Sequence, residues 1–233
     1  MSTVYLVPSF LADEAIETIP SYVIEAVKNC QVIFAENERT TRRFLKSMDK
    51  SVVIDQFEWH TIHKVEAEQI NHLTTAIKAG KNIAIVSEAG CPGIADPGQQ
   101  LIAVAQEMNC IIKPLVGPSS ILLALMASGM NGQQFEFIGY LPIDNNERIK
   151  KIKELESASI KNNSTKIFIE TPYRNNQLLE SLLQHCNGNT NICIGVNITA
   201  KTEQIHTKSV AAWKKEKPEL NKLPVIFLLY AGS

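Results

Sequence analysis

Short, dense runs of apolar residues alternate along this chain with stretches in which apolar positions recur at helical spacing. Residues 4–7, 32–35 and 83–86 are almost wholly apolar and read as strands buried on both faces, the pattern of a parallel sheet. Ile19, Val23, Ile24 and Val27 after Pro20 predict a first helix, and Arg39, Arg42, Arg43 and Lys46 lie on a second. Residues 51–54 read as a short further strand, and Phe57, Trp59, His60 and His63 as an aromatic, imidazole-rich loop. A helix over 65–79 ends at Gly80, a suitable C-terminal cap. A helix over 99–108, a strand over 110–115 and an apolar helix over 121–126 follow. Strands are then expected at 135–140, 166–169, 192–198 and 225–230, with helices at 147–155 and 178–185. Six or so strands alternating with helices on each side of the Gly117-Pro118 turn predict an α/β protein with two domains, 1–116 and 117–233.

The chemistry is expected where strand 83–86 ends. Ser87-Glu88-Ala89-Gly90-Cys91-Pro92 and Asp96-Pro97-Gly98 form a Gly- and Pro-rich loop beyond its carboxyl end, where open α/β sheets bind ligands and bare backbone approaches them closely. Gly117-Pro118-Ser119-Ser120 supplies a second patch of amides and hydroxyls. The plainer reading is two ordinary loops, with surface carboxylates on one and a helix N-cap on the other. Missing fingerprints narrow the ligand: there is no G-x-x-x-x-G-K-[ST], no G-x-G-x-x-G and no G-x-S-x-G. His60 and His63 have no H-E-x-x-H or Cys companion, so no metal site is expected.

Composition changes this picture little. The 233 residues carry a formal charge of -1, without the basic excess of a dedicated nucleic-acid binder. Five scattered cysteines without a C-x-x-C pair read as buried thiols of a reducing cytosol, and a cytoplasmic protein is expected. No signal-peptide pattern opens the chain, and no apolar run approaches the ~20 residues of a membrane helix.

A ligand needing backbone contacts and a few polar groups, with no phosphate to neutralise, fits S-adenosylmethionine. The motifs agree. Ser87 to Pro92 with Asp96-Pro97-Gly98 resembles S-D-A-G-T-P and D-P-G, and Gly117-Pro118 resembles G-P. Gly139-Tyr140-Leu141-Pro142 is similar to G-F-L-P, Glu170 to Arg174 to E-S-x-H-R, and Glu203 with His206 to the E-x-x-H of a last loop. Over nearly its whole length the chain resembles the tetrapyrrole methylase superfamily, and within it the branch that methylates a ribose 2′-hydroxyl of 16S ribosomal RNA.

That resemblance implies two α/β domains with the cofactor between them, in a homodimer. Ser87, Glu88, Ala89, Gly90, Pro92, Asp96, Gly117, Pro118, Ser119 and Ser120 would line the cofactor cleft, with Glu170 and Tyr173 facing it. Two plainer roles stand beside these: Glu170 pairing with Arg174, and Asp96 capping its own loop. A ribose acceptor also needs a base, for which Glu36, Glu38, Glu170 and His60 are the candidates. Arg39, Arg42, Arg43, Lys150, Lys151 and Lys153 are those for RNA phosphates, in ribosomal RNA or the small subunit.

Departures cluster on the acceptor side. P-x-P-I-G-N-L is Pro8-Ser9-Phe10-Leu11-Ala12, A-E-D-T-R is Ala35-Glu36-Asn37-Glu38-Arg39, and R-E-L-T-K is Val196-Asn197-Ile198-Thr199-Ala200. Two alternatives therefore stay open: a methyltransferase of the same fold acting on a tetrapyrrole or other small molecule, and a non-catalytic protein that keeps the cofactor cleft.

Overall fold

A computed structural model describes residues 2–62 and 67–232, so His63 and the expected helix start at Val65 lie outside the described residues. The chain forms two compact units, Met1–Ser119 and Ser120–Ser233.

The first unit runs β1 (Thr3–Val7), α1 (Tyr22–Lys28), β2 (Val32–Ala35), α2 (Glu38–Met48), β3 (Glu58–Thr61), α3 (Ala67–Lys78), β4 (Ile83–Val86), α4 (Gln99–Glu107) and β5 (Ile111–Pro114). Its sheet is wholly parallel in the order β3-β2-β4-β1-β5, so every strand delivers its carboxyl end to the same edge. Alternation divides the core into two layers. Val7, Ile33, Ala35, Ala84 and Val86 pack on one face with α1 and α2, while Val4, Val32, Phe34, Ile83 and Ile85 pack on the other with α3 and α4.

The strand expected at 51–54 is absent. Val52 is buried as a single anchor, Ile54–Gln56 is a turn of 3₁₀ helix, and the third strand is β3, inside the segment read as a loop. β3 is an edge strand, paired only with β2, and an edge strand tolerates polar residues such as Glu58 and His60. Cys30, Cys186 and Cys193 are buried, but Cys91 and Cys110 are only half-buried, because Cys91 lies in the loop after β4 and Cys110 in the turn that enters β5.

The second unit contains α5 (Ser120–Ser128), β6 (Phe135–Tyr140), α6 (Asn145–Asn162), β7 (Thr165–Ile169), α7 (Asn175–His185), β8 (Asn191–Val196), β9 (Gln204–Ser209), α8 (Val210–Glu216) and β10 (Val225–Tyr230). The sheet order is β6-β7-β10-β8-β9, with β6 and β7 parallel and β10 antiparallel to both its neighbours. Each sheet thus has five strands. β9 and α8 escape the apolar pattern: β9 is a polar edge strand, and α8 is a short helix whose Ser209 cap accepts from the Ala212 amide at 3.2 Å. His206 accordingly lies on a strand, not in a closing loop. Helix α6 is longer than expected because its ends are polar, with Asp144 accepting from the Asn146 and Glu147 amides and Asn163 stopping it in the left-handed region. Among the described residues no helix is long and apolar enough to cross a membrane.

Arg148 of α6 is 2% exposed and bonds only neutral acceptors: Ser181 Oγ at 3.2 Å, the Ile143 carbonyl at 2.9 Å and Asn145 Oδ1 at 2.8 Å. It ties α7 to the loop before α6. Arg148→Met is expected to lower unfolding free energy by about 2 kcal/mol, because the buried Ser181 hydroxyl and two partly buried acceptors lose their donor while most packing is kept. Urea unfolding measures this, and an unchanged midpoint would contradict the assignment.

Candidate functional site

Three strand-end loops of the first unit are fastened to one another. Ser9, just past β1, exchanges backbone bonds with Gly90, N–H to carbonyl at 2.9 Å and 3.1 Å, and its hydroxyl donates to the Ser87 carbonyl at 2.6 Å. Gly90 holds φ +76°, a conformation that other residues rarely adopt, which lets the loop turn back against β1. The Ser87 hydroxyl donates to the Ala89 carbonyl at 3.1 Å, and the Cys91 thiol lies 3.5 Å from the Pro118 carbonyl. Gly117 packs on Pro8 so closely that a Cβ there would fall 2.2 Å from the proline Cβ.

Asp96 closes the far end of the loop. Its Oδ1 accepts from the Gly93 amide at 2.8 Å and the Gly98 amide at 2.9 Å, the capping role raised from sequence, just before α4 begins. Glu88, Ala89, Ile94 and Ala95 are exposed, while Ser87, Gly90, Pro92 and Gly98 are buried.

The carboxylates differ sharply in their commitments. Glu36, at the end of β2, is half-buried, and its Oε1 accepts from the Glu88 amide at 3.0 Å. Burial pushes its carboxyl above the usual range; the Glu88 N–H opposes this, and the charges of Asp96 and Glu88 reinforce it. Glu38 is paired with Arg42, whose guanidinium also lies 5.2 Å from the centre of the Trp59 ring. In the second unit, Glu170 is buried at the end of β7 and accepts from Arg174 at 2.7 Å and 3.0 Å and from the Thr171 amide at 2.7 Å. Tyr173 beside it is exposed, and Ser120 opens α5. Of the carboxylates considered as bases, Glu38 and Glu170 are ion-paired, whereas Glu36 accepts from a backbone amide and its carboxyl is pushed up by burial.

A cavity of about 300 Å³ opens beyond the carboxyl ends of β1 and β4, over α2. Ser87 and Glu88 line it, with Ser9, Thr40, Ser47 and Arg43 for polar groups and Phe10 and Phe44 for an edge-to-face aromatic wall, ring centres 5.3 Å apart. Asn37, the residue that replaces a carboxylate of the family motif, caps α2 by accepting from the Arg39 and Thr40 amides at 3.0 Å and 3.2 Å. That exchange keeps the helix start, since Asn and Asp cap equally well. Thr40 and Ser47 gave no signal in the sequence, because hydroxyls one helix face apart read as ordinary surface. Asn37 before a charged helix is the sequence signal of that cap.

At Asn197 and Thr199, where the third motif departs, both residues have positive φ, and Glu203 accepts from the Thr199 amide at 2.7 Å. Glu203 therefore braces its turn.

Solved structures with this fold include methyltransferases. The methyltransferase CobJ is 18% identical and superposes with a TM-score of 0.64, over 98% of this chain and 93% of that one. Uroporphyrin III C-methyltransferase from Thermus thermophilus is 14% identical, with a TM-score of 0.60 over 98% and 97%. The sequence signature of the tetrapyrrole (corrin/porphyrin) methylases matches residues 16–212, so the chain belongs to that family of methyltransferases. Similar curated proteins include ribosomal RNA small subunit methyltransferase I of Bacillus subtilis, 30% identical over 93% of this chain and 71% of that protein. The protein of the same name from Buchnera aphidicola is 29% identical over 98% and 78%.

Proposed function

We propose that this chain transfers a methyl group from S-adenosylmethionine to a ribose 2′-hydroxyl of ribosomal RNA in the small subunit. The observation that carries this is the fastening of loops 8–9, 87–98 and 117–118 into one platform, in a chain of the methylase family. Those residues fit a zwitterionic nucleoside: they offer amides, carbonyls and hydroxyls, with no lysine or arginine of the kind a polyphosphate needs. Ser87, Glu88, Ala89, Gly90, Pro92, Asp96, Gly117, Pro118, Ser119 and Ser120 are the proposed cofactor contacts, joined by Glu170 and Tyr173.

The sulfonium supplies an activated methyl carbon, so the protein's task is to align the acceptor, exclude water and take up the hydroxyl proton. Glu36 is the proposed base. Its raised pKa brings it nearer the working pH, and its bond to the Glu88 amide holds it beside the cavity. Arg43 with the hydroxyls of Ser9, Thr40 and Ser47 suits an acceptor that carries hydroxyls and phosphate. The names of the curated relatives favour ribosomal RNA over a tetrapyrrole. A homodimer is proposed with this reading; Leu122 and Met126, exposed on one face of α5, are apolar surface that a second copy would cover.

Calorimetric titration with S-adenosylhomocysteine, followed by labelled-methyl transfer to small ribosomal subunits, tests the reading. Wild type is expected to bind in the micromolar range. Asp96→Asn, which keeps an Oδ1 acceptor for the Gly93 and Gly98 amides, should bind nearly as well, and Asp96→Ala at least about tenfold more weakly. No binding at millimolar ligand would overturn the enzyme assignment; binding with transfer only to small-molecule extracts would overturn the RNA assignment.

A further inference from the structure

We propose that Glu58, His60 and His72 form a binding site for a divalent transition-metal ion of the zinc type, separate from the strand-end platform. Each of the three offers a ligand atom, and these atoms all lie within 4.8 Å of one another. Sequence spacing hid the site, because the pair that stands out in the chain is His60 with His63, whereas His72 arrives from a helix. Glu58 and His60 alternate on β3 and therefore point to the same face, and His72 comes over that face from α3.

The surroundings resemble a built ligand set more than a chance surface cluster. The His60 ring is sandwiched between Phe34, with centres 4.9 Å apart, and His72, at 4.2 Å, and its side chain is only 13% exposed. Packing thus fixes its orientation. Glu58 is divided between its oxygens: Oε2 accepts from the Lys81 ammonium at 2.6 Å, while Oε1 lies 3.0 Å from His60 Nε2. A carboxylate held by one oxygen and free to coordinate through the other is the usual outer-shell arrangement of a metal ligand. Glu68, one turn before His72, lies 3.6 Å from its Nε2 and adds negative charge beside the site.

Two imidazoles and a carboxylate suit zinc and its neighbours far better than magnesium or calcium, which take oxygen ligands. Ligand bonds of about 2.0–2.2 Å require the three donors to close in, and the half-exposed Glu58 and His72 can do so by rotamer adjustment. Such an ion would clasp the edge strand β3 to α3, so its expected role is structural.

The test is calorimetric titration of the full, tag-free chain with Zn²⁺, with Mg²⁺ in parallel. One equivalent of Zn²⁺ is expected to bind with micromolar affinity, to raise the thermal midpoint, and to leave Mg²⁺ without effect. His72→Ala and Glu58→Gln should each weaken binding by at least about tenfold. His206→Ala, on the second unit, should leave it unchanged. Co²⁺ substitution guards against binding at cysteine: the visible spectrum should lack a sulfur-to-cobalt charge-transfer band. Absence of binding at millimolar Zn²⁺, affinity undiminished in His72→Ala, or a thiolate band would each overturn the proposal. His72 is half-exposed on a helix surface, so its variant keeps the fold, which circular dichroism checks.

Discussion

Gly117→Val is expected to abolish cofactor binding and to cost about 3 kcal/mol of stability, the upper end for forcing extra atoms into a packed site. The geometry leaves little room for relief. A Cβ at this position would meet Pro8 Cβ at 2.2 Å and Pro8 Cγ at 2.4 Å, and a proline ring has no rotamer by which to step aside. The clash therefore moves backbone, pushing the 117–118 turn away from the loop after β1 and spreading the platform that Ser9 and Gly90 hold together. Urea unfolding and S-adenosylhomocysteine titration measure the two effects. Gly132→Ala serves as control, since a Cβ there meets nothing within 4 Å. A rescue sharpens the result: Pro8→Gly should restore part of the binding lost in Gly117→Ala, because it removes the atoms that the new Cβ strikes. Wild-type affinity in Gly117→Val would show that the turn is no part of the site.

Glu36→Gln is expected to lower kcat for methyl transfer by about a hundredfold, within the range for loss of a general base, with cofactor affinity retained. Gln keeps an oxygen that can accept the Glu88 amide, so the variant isolates the proton-accepting role from the positioning one. The pH profile separates base from scaffold. In wild type, kcat/KM should fall as acid protonates Glu36 through its raised pKa, and that limb should vanish in the variant. Stability supplies an independent reading whose sign is opposite to that of an ordinary paired carboxylate. A carboxyl with a raised folded pKa stabilises most below its unfolded pKa, and that contribution is lost as pH rises through the folded value. The variant should therefore gain stability over wild type at neutral pH and match it in acid. An unaltered pH profile with unaltered kcat would remove Glu36 from the chemistry.

Much of this architecture was legible because strands buried on both faces advertise themselves. Strands 32–35, 83–86 and 225–230 are apolar runs at the very residues that form β2, β4 and β10. Where burial is one-sided the signal fails: β3 and β9 are edge strands whose polar residues face solvent, and residues 51–54 are apolar because Val52 anchors a loop. The site followed the same division. Glycine, proline and aspartate mark the loops at 87–98 and 117–118, since their conformations are special. Sequence alone could not rank Glu36, Glu38 and Glu170, because their difference lies in partners: Arg42 for Glu38, Arg174 for Glu170, and for Glu36 a backbone amide.

The order of strands in the first sheet carries a consequence for how the chain becomes competent. β1, the first strand of this sheet along the chain, lies between β4 and β5, and its partners are residues 83–86 and 111–114. Closing contacts over such separations is slow, because chain entropy is lost before the pairing energy is gained. The Ser9–Gly90 bridge and the Pro8–Gly117 contact both depend on β1 having found its place. On the ribosome, the ligand platform is therefore completed among the last parts of the first unit, and a nascent chain ending before residue 111 holds β1 with one neighbour and lacks the 117–118 turn of the platform.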